Sequence, residues 1–221
     1  MKPTKVAGTS VQIMFEKFCG PDDIVPKIAN PPGYWAKRGY RERNQGRGAN
    51  VYLNHMPASR VKSLLGESSF NQYYKFIVVR NPWDRAVSWF WWRFSGGSAA
   101  ERKYGGGKPG TQKNFAVVRK RFRTAVRQGL KLEPFRRWSH INGKPILDGV
   151  IRYERLETDS LKILHNVGIS LANQVFTYPK AKVSHRLCKE HYTEYYDEPT
   201  REIIAGRHRH DINDYGYIFG N

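Results

Sequence analysis

An arginine at the end of an apolar strand is the residue of this sequence best placed to bind an anion. The β-branched, apolar run Phe76–Val79 leads directly into Arg80. Asn81, Pro82 and Asp84 then predict the N-cap, the first position and the first turn of a helix. A guanidinium at the carboxyl end of a strand, beside a helix N-terminus, offers two parallel hydrogen bonds to a phosphate.

Two neighbours of Arg80 bear on that prediction. Ser88 lies two turns into the predicted helix and adds a hydroxyl to the anion site. Alternatively, Arg80 pairs with a local carboxylate such as Asp84 and only stabilises the turn. The sequence pattern of a strand followed by a helix fits both the anion site and the ion pair with Asp84, so it does not distinguish them.

A second candidate anion site lies near the start of the chain, at Lys5-Val6-Ala7-Gly8-Thr9-Ser10. Small residues let the backbone approach a ligand closely, and the Thr9 and Ser10 hydroxyls join the free N–H groups of a helix N-terminus. Lys5 would reach over the bound group. The nucleotide-triphosphatase loop, GxxxxGK[ST], places its lysine after the glycine, so this spacing disfavours an ATPase. A plain helix start rich in capping residues is the alternative.

Strands alternate with helices along the rest of the chain, which favours an α/β fold with a mostly parallel sheet. A Gly-rich stretch from Gly96 to Gly110 is interpreted as a loop, and the run Trp89–Trp92 as core. Strands are predicted at Val51–Leu53, Phe76–Val79 and Gly149–Tyr153, and helices over Ser10–Phe18, Ala58–Leu65, from Pro82, over Phe115–Ala125, over Leu156–Val167 and from Glu198.

Length and composition predict one domain over residues 1–221, with an anionic partner. The chain carries 38 Lys and Arg against 19 Asp and Glu, a formal net charge of +19. That charge suits a nucleic acid, a polyanionic glycan, an anionic membrane surface or a highly charged small ligand. Two cysteines, no glycosylation sequon and no apolar run near the ~20 residues of a membrane span predict a cytoplasmic protein.

The two anion motifs together resemble those of sulfotransferases that use 3′-phosphoadenosine 5′-phosphosulfate. Residues 5–10 are similar to the 5′-phosphosulfate-binding loop, and residues 79–88 to the 3′-phosphate-binding motif. Segments 151–156, 195–198 and 211–217 are similar to late segments of the carbohydrate sulfotransferases. The resemblance implies a P-loop-like, three-layer fold with a mostly parallel central sheet between helices. Only four residues precede Lys5, so the first strand appears truncated.

The resemblance also implies how the donor binds. Its 5′-phosphosulfate would lie against Lys5, Ala7, Gly8, Thr9 and Ser10, and its 3′-phosphate against Arg80 and Ser88. Arg186 is the best candidate in a late loop, with Lys180, Lys182 and Ser184 nearby, although that loop equally fits a solvated basic segment. A cation beside the bridging oxygen, here Lys5, would stabilise the departing nucleotide.

Sulfuryl transfer to a hydroxyl needs a base, and His55 is the predicted one. It follows the predicted strand at residues 51–53, and imidazole, with a pKa of about 6.5, suits proton acceptance at neutral pH. The heparan 2-O-sulfotransferase-like branch has a catalytic histidine in the corresponding interval. Alternatively, His55 caps the helix that begins at Ala58. Glu16 and Glu67 are weaker candidates.

Other clusters are given simpler interpretations. His185, His191, His208 and His210 are read as surface histidines, so no metal site is predicted from them and Cys188. Arg119, Arg123 and Arg127 form a stripe that is either a solvated face or a surface for an anionic acceptor. Arginines interleaved with aromatics border the acceptor site in this interpretation: Arg38, Arg41, Arg43 and Arg47 with Tyr34, Trp35 and Tyr40.

The predicted function is sulfuryl transfer from the phosphosulfate donor to an acceptor hydroxyl, by in-line displacement and without a metal. The acceptor is expected to be a carbohydrate, and the charge of +19 favours an acidic one. The alternatives are a basic nucleic-acid-binding protein without catalysis and a P-loop nucleotide kinase. If the acceptor is a glycan, the alternative location is the lumen of the Golgi, with an anchor removed from the chain.

Overall fold

The computed structural model describes residues 1–26, 51–94, 114–170, 178 and 186–221. The chain divides into two compact units. The first comprises Met1–Val79 and Arg137–Ala181, and the second comprises Arg80–Arg136 and Lys182–Asn221. A single domain over residues 1–221 stays a prediction.

Helices and strands alternate along much of the described chain. Short 3₁₀ helices cover Glu16–Phe18, Tyr153–Arg155 and Tyr192–Tyr195. The other elements, in chain order, are α1 (Gly8–Phe15), α2 (Ala58–Leu65), α3 (Glu67–Gln72), β1 (Phe76–Val79), α4 (Pro82–Phe94), α5 (Phe115–Arg127), α6 (Arg136–Ser139), β2 (His140–Ile141), β3 (Lys144–Pro145), β4 (Gly149–Arg152), α7 (Leu156–Asn166), α8 (Glu198–Arg207) and α9 (Arg209–Tyr215).

A parallel pair of strands, β1 and β4, forms one of the two sheets described in the first unit, which confirms the α/β class. Phe76 lies opposite Gly149, and Val79 lies opposite Arg152. Helices flank the pair, as the resemblance implied for a P-loop-like fold. The backbone of residues 1–7 forms no strand, and the Met1 nitrogen instead donates to the carbonyl of Phe76, the first residue of β1.

The core of the first unit packs α1 and α7 with the sheet. All of β1 after Phe76 is buried, as is Ile151 of β4. Gly149 is required where α7 approaches β4, because an added Cβ would collide with the Cδ1 atom of Ile163 and lie 2.7 Å from the Tyr74 hydroxyl. The tight contact keeps α7 close to the strand that pairs with β1.

The core of the second unit is aromatic and joins α4, α5 and the 3₁₀ helix Tyr192–Tyr195. Phe122 lies in T-shaped contact with Phe90, at 5.5 Å between centroids, and with Tyr195, at 5.7 Å. The indole of Trp91 donates to the Tyr195 hydroxyl at 3.1 Å. The core prediction for residues 89–92 is confirmed for Phe90 and Trp91 but wrong for Trp92, which is 42% exposed.

Most of the predicted elements are confirmed, and one strand is wrong. Residues 51–53 form a turn instead of a strand, and the side chains of Val51 and Leu53 are 48% and 62% exposed. A short apolar run therefore does not join the sheet here. The hairpin β2–β3 was not predicted. Its turn residues Asn142 and Gly143 both have positive φ, at 51° and 76°, which suits a tight hairpin.

Candidate functional site

The loop before α1 contains two residues with positive φ that are not glycines. Lys5 and Ala7 both adopt positive φ, at 64° and 59°. Val6 between them is fully buried and anchors the loop in the core. The left-handed conformation costs an L-residue roughly 1–2 kcal/mol, so packing must hold this shape in place.

The N-terminus of α1 is built from backbone groups. Ala7 is the N-cap, no side chain caps the helix, and the first bond within the helix runs from the Val11 N–H to the Ala7 carbonyl at 3.1 Å. The N–H groups of Gly8, Thr9 and Ser10 therefore lie in the first turn, where a helix offers donors to an anion.

Gly8 leaves room for the side chain of Lys2 to cross the first turn of α1. A Cβ added at Gly8 would collide with Cγ of Lys2. The Lys2 ammonium continues to Gln12, whose side chain donates to Glu16 at 2.8 Å. Glu16 is 3% exposed and lies in this network, which disfavours it as the base that accepts a substrate proton.

His55 is held by a contact of its ring with the Lys2 carbonyl and by a hydrogen bond from Trp138 to its own carbonyl. Its Nδ1 lies 2.7 Å from the Lys2 carbonyl, and the His55 carbonyl accepts from the Trp138 indole at 3.1 Å. The residue is exposed and has a positive φ of 62°. The strand used to place His55 is wrong, and so is the capping alternative, because the N-cap of α2 is Pro57 and no side chain caps that helix.

Glu67, the other weak candidate for the base, is exposed and hydrogen-bonded to a lysine. The Lys62 ammonium donates to it at 2.5 Å, and that hydrogen bond lowers the pKa of the carboxyl. A carboxylate held in its ionised form by a lysine is a poor proton acceptor. The structure therefore gives no support to Glu67 in that role.

Arg80 lies directly after β1 and engages Asp84 one helical turn later. Its Nε and Nη2 atoms both donate to Oδ2 of Asp84, at 2.8 and 2.5 Å. The pair anticipated as an alternative is thus formed. Arg80 is 8% exposed, and an ion pair buried to this degree is stable only when its geometry is good and its remaining polar groups are hydrogen-bonded.

Asn81 fixes the turn as the predicted N-cap of α4. Its Oδ1 accepts from the Trp83 N–H at 3.1 Å, and Arg85 N donates to the Asn81 carbonyl at 2.8 Å. The Nδ2 atom of Asn81 donates to the Tyr192 hydroxyl and to the Ile218 carbonyl, at 3.2 and 3.0 Å. These bonds hold the backbone beside Arg80.

Arg85 is fully buried, and its side chain links α4 to residues 133–135. It donates to the Glu133 carbonyl at 2.9 Å and stacks over the Phe135 ring at 4.3 Å. Burial lowers the pKa of its guanidinium to about 9, and the charge of Asp211 opposes that shift. Asp211 in turn accepts from the Phe135 N–H and lies 2.9 Å from Nδ1 of His208.

Arg186 joins the Arg80 pair from the late segment. Its Nη1 lies 3.3 Å from Oδ1 of Asp84, its Nε donates to the Cys188 carbonyl at 3.1 Å, and its Nη2 donates to the Glu190 carbonyl. Its guanidinium also lies 5.1 Å from the centre of the Tyr195 ring. The solvated-loop alternative is therefore wrong for Arg186. Lys180, Lys182 and Ser184 lie outside the described residues.

Ser88 is half-buried and follows Asp84 by one helical turn, so the two share a face of α4. Arg80, Asp84, Ser88 and Arg186 all belong to the second unit, whereas the residues of the N-terminal loop and His55 belong to the first. Sequence reasoning missed the part that Lys2 and Trp138 play around His55. Neither contact has a local signal, because each joins residues far apart in the chain.

The remaining clusters have structural explanations where they are described. Arg123 and Arg127 lie 3.6 and 2.5 Å from the Asp197 carboxylate at the N-terminus of α8, so this part of the basic stripe is an intramolecular contact. His208 is buried against Asp211, which corrects its interpretation as a surface residue. The aromatic and basic stretch at residues 34–47 and His185 lie outside the described residues.

Within the described ranges, no group of three or more His, Cys, Asp or Glu side chains is arranged to hold a metal ion. Neither Cys19 nor Cys188 forms a disulfide, and burial raises the pKa of both thiols. None of the helices in this part of the chain is long and apolar enough to cross a bilayer.

The comparisons with known proteins agree with the paired anion motifs. A model of the sulfotransferase family matches residues 4–218, which covers both motifs and the late segments. Comparisons with curated proteins and with solved structures gave no match. Since the family match spans nearly all of the 221 residues, the chain belongs to the sulfotransferase family.

Proposed function

We propose that this protein transfers a sulfuryl group from 3′-phosphoadenosine 5′-phosphosulfate to a hydroxyl of a carbohydrate. Membership of the family supports sulfuryl transfer in general. The observation that carries the choice of donor is the pair of arginines, Arg80 and Arg186, joined through Asp84 in the motif that resembles a 3′-phosphate site. A donor with a separate 3′-phosphate is the ligand that such a site would select.

The N-terminal loop fits the other end of the donor. The first-turn N–H groups of Gly8, Thr9 and Ser10, presented by the positive-φ backbone of Ala7, suit an oxyanion. Lys5 would place its ammonium beside the oxygen that bridges phosphorus and sulfur.

The donor supplies an activated sulfuryl group whose leaving group is a phosphate oxygen. His55 would accept the proton of the acceptor hydroxyl while the acceptor oxygen bonds to sulfur and the bond from sulfur to the bridging oxygen breaks. Lys5 would stabilise the negative charge that develops on that oxygen. The products are the sulfated acceptor and adenosine 3′,5′-bisphosphate.

The hydrogen bond of the His55 ring supports this proposed role. A neutral imidazole carries one proton, and Nδ1 lies 2.7 Å from the Lys2 carbonyl, which can only accept. The proton therefore resides on Nδ1, and Nε2 is the nitrogen with the lone pair. A carbonyl that fixes the tautomer in this way is a common feature of histidines that act as bases.

A net charge of +19 favours an acidic saccharide as the acceptor. The donor is itself a polyanion and accounts for part of this charge. A panel of acceptors should therefore contain matched acidic and neutral glycans together with small alcohols. The expected result is transfer to a glycan, with acidic glycans preferred at low ionic strength.

Transfer of radiolabel from the phosphosulfate donor tests the proposal directly. Wild type should label a glycan, Lys5→Ala and His55→Ala should lower kcat about 100-fold or more, and the exposed control His165→Ala should retain activity. No transfer to any acceptor would exclude the catalytic proposal. Full activity in His55→Ala would remove that residue from the role of base.

Binding separates the proposal from a nucleic-acid-binding role. Adenosine 3′,5′-bisphosphate should raise the melting temperature more than ADP does, because only the former carries the 3′-phosphate. Equal, weak shifts that moderate salt abolishes would contradict the proposal and favour a general attraction for polyanions.

A further inference from the structure

Asp84 divides its carboxylate between two arginines. Oδ2 accepts from Arg80, and Oδ1 lies 3.3 Å from Nη1 of Arg186. The side chain of Asp84 is 15% exposed, and those of Arg80 and Arg186 are 10% and 23% exposed. At this degree of burial the ion pairs are screened less than those on an open surface.

Each arginine is fixed in orientation by these contacts. Arg80 uses both nitrogens of one edge of its guanidinium on a single oxygen of Asp84, which sets the plane of the group. Arg186 is held by the Cys188 and Glu190 carbonyls and by the Tyr195 ring as well as by Asp84. The carboxylate of Asp84 is therefore the one orienting contact that the two arginines share.

The charges of the three groups leave a surplus. Two guanidinium groups carry two positive charges against the single negative charge of Asp84, so the three groups together carry a net charge of +1. Without the carboxylate, the two cations would repel each other at short range and the less buried Arg186 would move away. The carboxylate thus maintains a pair of cations in a place where neither is fully solvated.

We propose that Asp84 is a positioning residue that holds Arg80 and Arg186 together as a paired site for the 3′-phosphate. This inference rests on the proposed function. Asp84 acts through the two arginines and does not itself bind the ligand, since a carboxylate would repel a phosphate. An asparagine at this position replaces one of the two acceptor oxygens with an NH2 donor, so one of the two arginines would face a donor instead of an acceptor.

Calorimetric affinities of adenosine 3′,5′-bisphosphate and adenosine 5′-monophosphate test this role in the wild type and in five variants. The ratio of the two affinities measures recognition of the 3′-phosphate alone. Asp84→Asn should lower that ratio about tenfold, which corresponds to about 1.4 kcal/mol, and leave the monophosphate affinity unchanged. Asp84→Glu keeps both oxygens and should restore part of the ratio.

Asp214→Asn is the matched control, because Asp214 pairs with Arg136 at 3.2 Å in the same unit and should not affect the ratio. In the double variant Asp84→Asn with Arg186→Ala, the loss should be smaller than the sum of the two single losses, since Asp84 acts partly through Arg186. Additive losses, or a ratio that Asp84→Asn leaves unchanged or raises, would overturn the inference. A wild-type ratio of one would instead contradict the proposed donor.

Discussion

The N-terminal loop and the turn after β1 present their candidate anion-binding groups by different means. The loop relies on backbone shape, with positive φ at Lys5 and Ala7 and no side chain that caps α1. The turn relies on charged side chains, with Arg80 and Arg186 sharing the carboxylate of Asp84. Substitutions that change backbone freedom should therefore damage the first site, and substitutions that change charge should damage the second.

The largest effect is expected at Arg80. Arg80→Ala should lower the affinity for adenosine 3′,5′-bisphosphate about 100-fold or more, since hydrogen bonds to a charged group contribute about 1.5–3 kcal/mol each. Affinity for the 5′-monophosphate should change little. Calorimetric titration of both ligands checks this, with the exposed Arg209→Ala as control. Equal losses for both ligands would contradict the division between the two sites.

A smaller effect is expected from a β-branched residue at Ala7. Ala7→Val should weaken binding of adenosine 5′-monophosphate about tenfold, because valine disfavours the left-handed conformation by roughly 1–2 kcal/mol. Ala7→Gly accepts this conformation and is the matched control. Titration of both variants with the monophosphate measures the difference. Equal affinities in the two variants would show that the conformation of Ala7 is not needed for binding.

Gly8 tests whether space for Lys2 matters in the loop. Gly8→Ala should destabilise the protein by about 1–2 kcal/mol, because its Cβ would meet the Lys2 side chain over the first turn of α1. Lys2→Ala should relieve that collision. Denaturant unfolding of the two single variants and the double variant measures the coupling. Additive costs in the double variant would exclude the collision as the cause.

The smallest effect is expected at the α8 cap, where the second unit again relies on charge. Burial opposes the shift, but hydrogen bonds from Thr200 and Arg127 together lower the pKa of Asp197 from 3.8 to about 2. A lowered folded-state pKa contributes stability above the unfolded value that is lost as pH falls from about 4 towards 2. Asp197→Asn should flatten this part of the melting-temperature profile against pH, whereas Ala7→Gly should not.

Local patterns predict much of the second site. The apolar run of β1, the N-cap at Asn81 and the proline at position 82 follow one another in the sequence, and the structure has the same strand, cap and helix. The ion pair of Arg80 with Asp84 is also local, because the two residues are one helical turn apart. The contact of Arg186 with Asp84 joins residues 102 positions apart and has no sequence pattern.

The first site was harder to predict because its geometry comes from long-range contacts. The positive φ values at Lys5, Ala7 and His55 have no signal in residue type, since none of the three is a glycine. Tertiary packing imposes these conformations, and the periodicity of apolar residues in the sequence does not reveal that packing. The strand predicted at residues 51–53 failed for a related reason, since an apolar run alone does not show whether a sheet is available to bury it.

The Asn142-Gly143 pair, in contrast, is a recognised hairpin signal that the prediction overlooked. Its two flanking strands have only two residues each, so the alternation that normally marks a strand is absent. The turn residues alone would have predicted this hairpin, although the alternation of apolar and polar residues did not.

If His55 is the base proposed above, acid should inactivate it without moving it. The Nδ1 proton already points at the Lys2 carbonyl, so protonation of the ring adds the second proton at Nε2 and leaves the first bond intact. The imidazolium would occupy the same position as the neutral ring. We therefore expect the rate of turnover to fall at low pH while the apparent affinity for both substrates stays constant, because the acid form keeps its place and loses only its capacity to take a proton.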